Sequence, residues 1–413
     1  MKRYEEYKDT GVKWISVIPN NWSEIRFKYA LSMITTKSTS NVKIGLENIE
    51  SYSAKYIPTD SVYEGNGIEA KQGDILYGKL RPYLAKVLLA ECNYNAVGDF
   101  YVFRCNKSLC KAKYAKWFML SDGFTKICSA STYGAKMPRV SSDFINSLYI
   151  PLPPLAEQEK IVSFLESKTL GIDAYVAERE RELQLLNELK ESEIANIITR
   201  GLNPDVKMKE SKNNLLGVIP EHWEEKKIKY CFTERTEKNH PDEPILCATQ
   251  SQGVIPQSMY QNRVVVVNKG FDGLKFVRVG DFVISLRSFE GGIEYAYYQG
   301  IISAAYTILT PNEESYADYF KLLFKSQPFI QVLQTCVTGI REGQNINYQM
   351  LGRKFIPIPP YEEQKAIVAY IEDKCNKVNS LIGELEAEIE YLKEYKQKLI
   401  ADCVTGQIDV RNI

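Results

Sequence analysis

Histidine is scarce: the 413 residues contain only His222 and His240, and neither sits in an HxH, HExxH or HNH-like context. That removes the common zinc and general-base signatures. No GxxxxGK(S/T) phosphate loop and no GxGxxG fingerprint follows an apolar run, and a Gly-rich methyl-donor loop and an Asn-Pro-Pro-aromatic motif are missing too. The nine cysteines are scattered without a CxxC pair, the pattern of reduced thiols in a cytoplasmic protein rather than of a disulfide frame or a zinc site. No stretch approaches the ~20 apolar residues of a membrane span. Met1 to Glu6 lacks an apolar core, so no secretory signal is expected. Net charge is missing as well, with 52 basic and 52 acidic residues, which counts mildly against binding to a polyanion. One near miss is Pro204-Asp205 followed by Glu210-Ser211-Lys212. It has the order of a metal-nuclease PD…ExK pattern, but the short gap lies in what reads as a polar linker, where the groups would not share adjoining strands.

Charge is nonetheless uneven. From Lys71 to Asp143 basic residues outnumber acidic ones by roughly two to one, Glu157 to Glu193 is acid-rich, and Glu234 to Glu342 is nearly balanced.

What is present is a duplication. Ile18-Pro19-Asn20-Asn21-Trp22 with Phe27-Lys28-Tyr29 recurs as Ile219-Pro220-Glu221-His222-Trp223 with Ile228-Lys229-Tyr230. Ile150-Pro151-Leu152-Pro153-Pro154-Leu155-Ala156-Glu157-Gln158 recurs as Ile356-Pro357-Ile358-Pro359-Pro360-Tyr361-Glu362-Glu363-Gln364. The offsets are about 201 and about 206 positions, the drift expected from loop indels in an internal repeat. Between the motifs the copies have diverged, although Gly73-Asp74-Ile75-Leu76 answers Gly280-Asp281-Phe282-Val283 and Leu80-Arg81 answers Leu286-Arg287. A common frame around different middles implies two copies that hold one pose and read different things.

The middles read as mixed α and β. Val264 to Val267, Asp281 to Ile284 and Gly300 to Ala305 suit short buried strands, and Tyr114 to Leu120 and Tyr316 to Phe324 suit short helices. The IPLPP segment reads as an extended lead-in to a helix start, with Glu157 and Glu363 in the first turn at the positive end of the dipole. The C-terminal helix carries a seam of Val378, Ile382, Leu385, Ile389 and Leu392, resumed at Leu399 and Cys403 after Lys396. Its counterpart has Ile172, Val176, Leu183, Leu186 and Ile197, interrupted at Arg179, Lys190 and Glu193. A period near 3.5 points to two helices that pair with each other. The fold expected is α+β: two globular α/β domains separated by two long helices paired as an antiparallel coiled coil, in an internal pseudo-twofold repeat. The segments are 1–150 (first globule), 151–206 (first helix), 207–355 (second globule) and 356–413 (second helix).

The IP…W opening, the GDIL…LRPYL segment from Gly73 to Leu84, the IPLPPL-x-EQ close and the terminal Val404-Thr405-Gly406-Gln407-Ile408-Asp409-Val410 together resemble specificity subunits of type I restriction–modification enzymes. The resemblance spans the chain and has the family's two-unit layout. It implies that each middle is a target recognition domain reading one half of a split sequence in double-stranded DNA. It also implies that the helices set the spacer and dock two modification subunits, which carry S-adenosylmethionine and methylate adenine. Restriction and motor subunits join through the complex. On this reading the chain is not itself an enzyme and holds no cofactor or metal. A specificity adaptor of a modification-only or fused restriction system, and a coiled-coil scaffold without a DNA role, are the alternatives. The first helix, taken as Ile172 to Ile198, would span about 40 Å at 1.5 Å per residue, near the roughly 35 Å of one DNA turn.

Bases are read by Arg or Lys on guanine, Asn or Gln on adenine, and hydroxyls on either. The DNA-binding candidates are therefore Lys79 and Arg81, then Tyr133, Lys136 and Arg139, in the first domain. In the second they are Ser285, Arg287 and Ser288, then Arg341, Gln344, Asn345 and Asn347, with Arg81 answering Arg287 and Arg139 answering Asn345.

Overall fold

The computed structural model describes residues 2–260, 271–312, 316–339 and 345–412. It divides into two units, one of Met1–Glu180 with Glu386–Ile413, the other of Arg181–Leu385. Each long helix contributes to both: Leu155–Arg200 and Tyr361–Val404 start in one unit and end in the other.

The globules share a topology that the diverged sequences hide. The first has an antiparallel sheet in the order Leu31–Ile34, Phe100–Cys105, Ile75–Gly78, Val87–Leu89. The second repeats it with Phe232–Arg235, Thr307–Pro311, Phe282–Ile284, Glu294–Tyr295. The central strand of each follows the Gly-Asp motif. Gly73 and Gly280 adopt φ +90° and +97°, a left-handed turn that only glycine enters without strain. The next residue, Asp74 or Asp281, accepts the backbone N–H of Lys71 or Arg278 and is buried. A guanidinium meets each buried carboxylate, but from different strands: Arg104 binds Asp74 through two nitrogens, whereas Asp281 pairs with Arg235 and accepts the Thr310 hydroxyl. The pairing has moved while the turn has stayed.

The repeated motifs are joined to each other. Tyr149–Leu152 is a strand rather than only a lead-in, paired antiparallel with Ser23–Arg26, and Phe355–Ile358 pairs likewise with Glu224–Lys227. Proline is tolerated because these are two-stranded edges. Glu157 enters the first helical turn as expected, yet it is buried and has a second role. Its carboxylate accepts the Trp22 indole N–H at 3.0 Å, the Asn21 amide at 3.2 Å and the Tyr4 hydroxyl. Burial, and then the carboxylate, push the Tyr4 phenol far above its ordinary range. In the second copy Glu363 meets His222 at 2.9 Å instead.

Each globule is closed by the end of a helix that began in the other copy. The first core takes in Ile161 and Leu165 from one helix and Leu399, Ile400 and Cys403 from the other. The second takes in Ile367 and Ile371 with Ile197 and Ile198. Tyr114 donates to the Val404 carbonyl and, equivalently, Tyr319 to that of Ile198. Past each helix end stands a left-handed glycine, Gly406 or Gly201. A Cβ there would clash with the Pro19 ring or lie 3.1 Å from Trp223, so the VTGQIDV segment is tied to the IP…W motif by contact.

The helices are longer than the expected Ile172 to Ile198, at 46 and 44 residues, so the match to one DNA turn loses its premise. They do pair. In the first unit Asp173 meets Lys396 and Glu180 meets Lys393; in the second Lys190 meets Asn379 and Glu193 meets Lys374. Rising numbers on one helix face falling numbers on the other, the antiparallel sense. The polar interruptions at Lys190, Glu193 and Lys396 are thus used in the pairing. The pair of strands Met208–Glu210 and Val218–Pro220 occupies what read as a polar linker. Val264 to Val267 lie outside the described residues, and the strand expected from Gly300 to Ala305 stops at Ile302. The short helices run from Ala112 to Leu120 and from Ala317 to Lys325.

Candidate nucleic-acid interface

In the first unit the two candidate segments are bonded into one surface. Arg139 exchanges backbone hydrogen bonds with Tyr133, each 3.0 Å, closing a hairpin. That hairpin is fixed to the other segment by Arg81 N–H to the Pro138 carbonyl at 2.8 Å and Val140 N–H to the Lys79 carbonyl at 3.1 Å. Arg81 sits at φ 50°, ψ 64°, a left-handed conformation that costs a non-glycine residue on the order of 1 kcal/mol or more. Three neighbours share the condition: Tyr52, Ala54 and Ala85 also have positive φ. Tyr52 holds the turn by donating its N–H to the Ala85 carbonyl and its hydroxyl to the Tyr83 carbonyl. Such strain persists only where surrounding contacts over-determine it, and it concentrates at functional surfaces. The sequence does not single out Tyr52, because nothing in a lone tyrosine signals φ.

The candidates are not equally available. Arg139 is committed to Asp99 through Nε at 3.0 Å and Nη2 at 2.9 Å, and Lys79 stands 3.8 Å from the same carboxylate. The Arg139 hydrogen bond chiefly holds the Asp99 carboxyl below its usual range. Arg81 and Lys136 are exposed and make no side-chain ion pair among the described residues, and Tyr133 is 60% exposed. The first globule's basic excess is largely spent internally: Lys71, Lys79, Arg104, Lys111, Lys113, Lys126 and Arg139 all face carboxylates.

In the second unit Ser288 is buried, and its hydroxyl accepts the Ser285 N–H at 2.9 Å, while the Ser285 hydroxyl accepts that of Arg287 at 3.3 Å. The two serines shape a turn that leaves Arg287 exposed. Asn345 pairs in a short strand with Thr338, and the Asn347 side chain caps a helical turn by accepting Met350 N–H. Ser141 caps the equivalent turn in the first copy, so Asn347 belongs to the frame. Arg341 and Gln344 lie outside the described residues. Where Asp99 clamps the first hairpin the second copy has Ala305, whose side chain has no acceptor to offer. Among the described residues no group of three His, Cys, Asp or Glu could hold a metal, and no helix is long and apolar enough to cross a membrane.

Residues 17–185 match the family model of the type I restriction modification DNA specificity domain, a span from the IP…W motif through the first copy's close. A putative type I restriction enzyme MjaX specificity subunit from Methanocaldococcus jannaschii is 25% identical, with 98% of each chain covered. The likeness is thus to specificity subunits of type I restriction enzymes, and through that relative it runs nearly the full length of the chain. The EcoDI specificity subunit of Escherichia coli is 27% identical over 47% of each chain. Among solved structures, a chain from a study of assembly and conformational transition of the type I R-M system superposes with a TM-score of 0.72 at 20% identity, covering 95% of this chain and 99% of that one. The HsdS subunit from Thermoanaerobacter tengcongensis superposes with a TM-score of 0.52 at 18% identity, covering 95% and 98%. These two likenesses concern the fold alone, which in this chain is a pair of duplicated globules, each completed by both long helices.

Proposed function

We propose that the chain is the DNA-reading subunit of a type I restriction–modification complex, with one half of a bipartite site read by each globule. One observation carries this reading: the same four-stranded sheet order holds two different loop surfaces, the strained Arg81 turn with its hairpin in one copy and the serine-shaped Arg287 turn in the other. In this scheme the paired helices set the spacer and dock two modification subunits. Methyl transfer to adenine and DNA cleavage reside in partner subunits, and this chain contributes no catalytic group. Arg81, Tyr133 and Lys136 in the first domain and Arg287 in the second are the foremost base or phosphate contacts; Arg139 and Ser288 act by positioning.

Exchanging residues 1–150 for the first domain of another family member should change one half-site only, read by methylation-sensitive sequencing of DNA from cells expressing the complex. A change in both halves, or in neither, overturns the division of labour. Leu385→Asp tests the helices, since it puts a charge at an apolar knob position. Assembly with modification subunits should be lost or the spacer altered, and survival of both ends the ruler argument. Co-purification with modification subunits but never with a motor subunit would favour a modification-only system.

A further inference from the structure

Both copies retain Lys28-Tyr29 and Lys229-Tyr230, yet the fold does not need them. Tyr29 and Tyr230 are each 61% exposed, and each lysine lies over its neighbour's ring, at 5.1 and 4.9 Å. Beside them Arg26 lies 5.5 Å from the Tyr149 ring, and in the second unit Lys227 and Lys212 both face the Phe355 ring, at 5.4 and 5.1 Å. The same corner gathers two more cations. Lys229 N–H binds the Gly352 carbonyl and Ile228 N–H that of Lys354, both at 3.1 Å, which brings Arg353 and Lys354 alongside.

These five cations of the second unit make no side-chain ion pair among the described residues. That contrasts with the middle of the same unit, where Arg235, Arg278, Lys321 and Lys325 all face carboxylates. Of the nearby acids, Glu224 is paired with Lys226, and Glu225 turns to the Ser211 hydroxyl and Lys212 N–H. Two ammonium groups directed at one ring repel each other, an arrangement that an incoming anion relieves. The first copy has fewer: Arg26 and Lys28 remain, but Ser147 and Leu148 stand where the second has Arg353 and Lys354. The unit whose middle is electrically balanced thus has the richer cationic frame.

A surface that selects sequence belongs in the part that diverged, and one that must accept any sequence belongs in the part that was kept. Phosphodiester oxygens are the anions every sequence shares, and contacts to them position without specifying. We propose that Lys212, Lys227, Lys229, Arg353 and Lys354 form the second unit's sequence-independent contact with the phosphate backbone of DNA, with Arg26 and Lys28 as the thinner counterpart in the first. The proposal rests on the DNA-reading function above.

The test is salt-dependent binding of the full chain, assembled with its modification subunits, to its methylated site and to a random duplex of equal length. Each phosphate that is no longer neutralised lowers the slope of log K against log salt by about 0.9. Lys227→Ala/Lys229→Ala/Arg353→Ala should therefore reduce the slope by about 2 to 3 on both duplexes, with unchanged sequence preference and thermal melting. Lys227→Arg/Lys229→Arg/Arg353→Lys, which keeps the charges, should retain the parent slope. An unchanged slope in the alanine variant overturns the phosphate contact. If modification subunits dissociate instead while the slope of the remaining complex holds, the patch is a protein interface and the proposal fails. A parent complex without sequence preference sinks the reading function itself, and the slopes then judge the patch separately.

Discussion

Glu157→Ala is expected to destabilise the first unit by about 3–5 kcal/mol, because it strands buried donors at the joint between the two repeated motifs. The carboxylate accepts from Tyr4, Asn21 and Trp22, and both Tyr4 and Trp22 are buried. A hydrogen bond to a charged group is worth about 1.5–3 kcal/mol, and a donor left unsatisfied out of water costs a further ~1–3 kcal/mol. Glu157→Gln should lie between, since one amide oxygen still accepts. The second copy is an internal control. Glu363 is partly exposed and meets His222, itself exposed, so Glu363→Ala should cost about 1 kcal/mol or less. Urea unfolding of the variants measures the difference, and equal destabilisation at the two positions would show that the buried network does not hold the first unit together.

The second large effect is a gain. In the second unit the buried Glu294 carboxylate pairs with Lys325 at 2.5 Å, and one of its oxygens has no partner among the described residues. The repeat supplies the alternative. Glu294 sits opposite Val283 where Leu88 sits opposite Leu76, and Lys325 ends its helix where Leu120 ends the first copy's. Burial raises the Glu294 carboxyl to about 7, outweighing the lowering by Lys325. A rise of about 2.5 pH units corresponds to about 3 kcal/mol of penalty on the ionised form. The native state holds its proton longer than the unfolded chain does. Stability from this group is therefore complete below about 4.5 and is lost as pH rises through about 7.

Glu294→Leu/Lys325→Leu should accordingly stabilise the second unit at pH 8 by about 1–3 kcal/mol and remove that pH slope. Lys325→Leu alone should destabilise by about 3 kcal/mol or more, since it leaves the carboxylate buried and also frees the Gly291 carbonyl. Chemical denaturation of parent and variants between pH 5 and pH 8 resolves both. A double variant no more stable than the single one would mean that the crevice needs the charges for packing that leucine cannot reproduce.

Much of this is legible in the sequence, for identifiable reasons. The duplication and the helical seam are written in local spacing, and both reappear where spacing put them. Glu157 is legible as a helix-start carboxylate but not as the acceptor for Trp22, because that bond joins residues far apart in the chain. The base-reading candidates rest on chemical type, and type does not reveal commitment. Arg139 and Arg81 look alike in sequence, yet one is held by Asp99 and the other, on a left-handed turn, makes no side-chain ion pair among the described residues. Likewise Ser288 and Asn347 are polar readers by type, and each has its side chain in a local turn or cap.

By itself the sequence determined the repeat, the family resemblance and the pairing of two long helices, since periodicity and ordered motifs survive when contacts are unknown. Tertiary structure alone decided how each globule is completed: Gly406 against Pro19 and Gly201 against Trp223 bring the far end of one copy's helix into the other copy's core. It also decided which cations remain free for an outside anion. Charge is a property of a residue, whereas its neutralisation is a property of the neighbours that folding brings within reach.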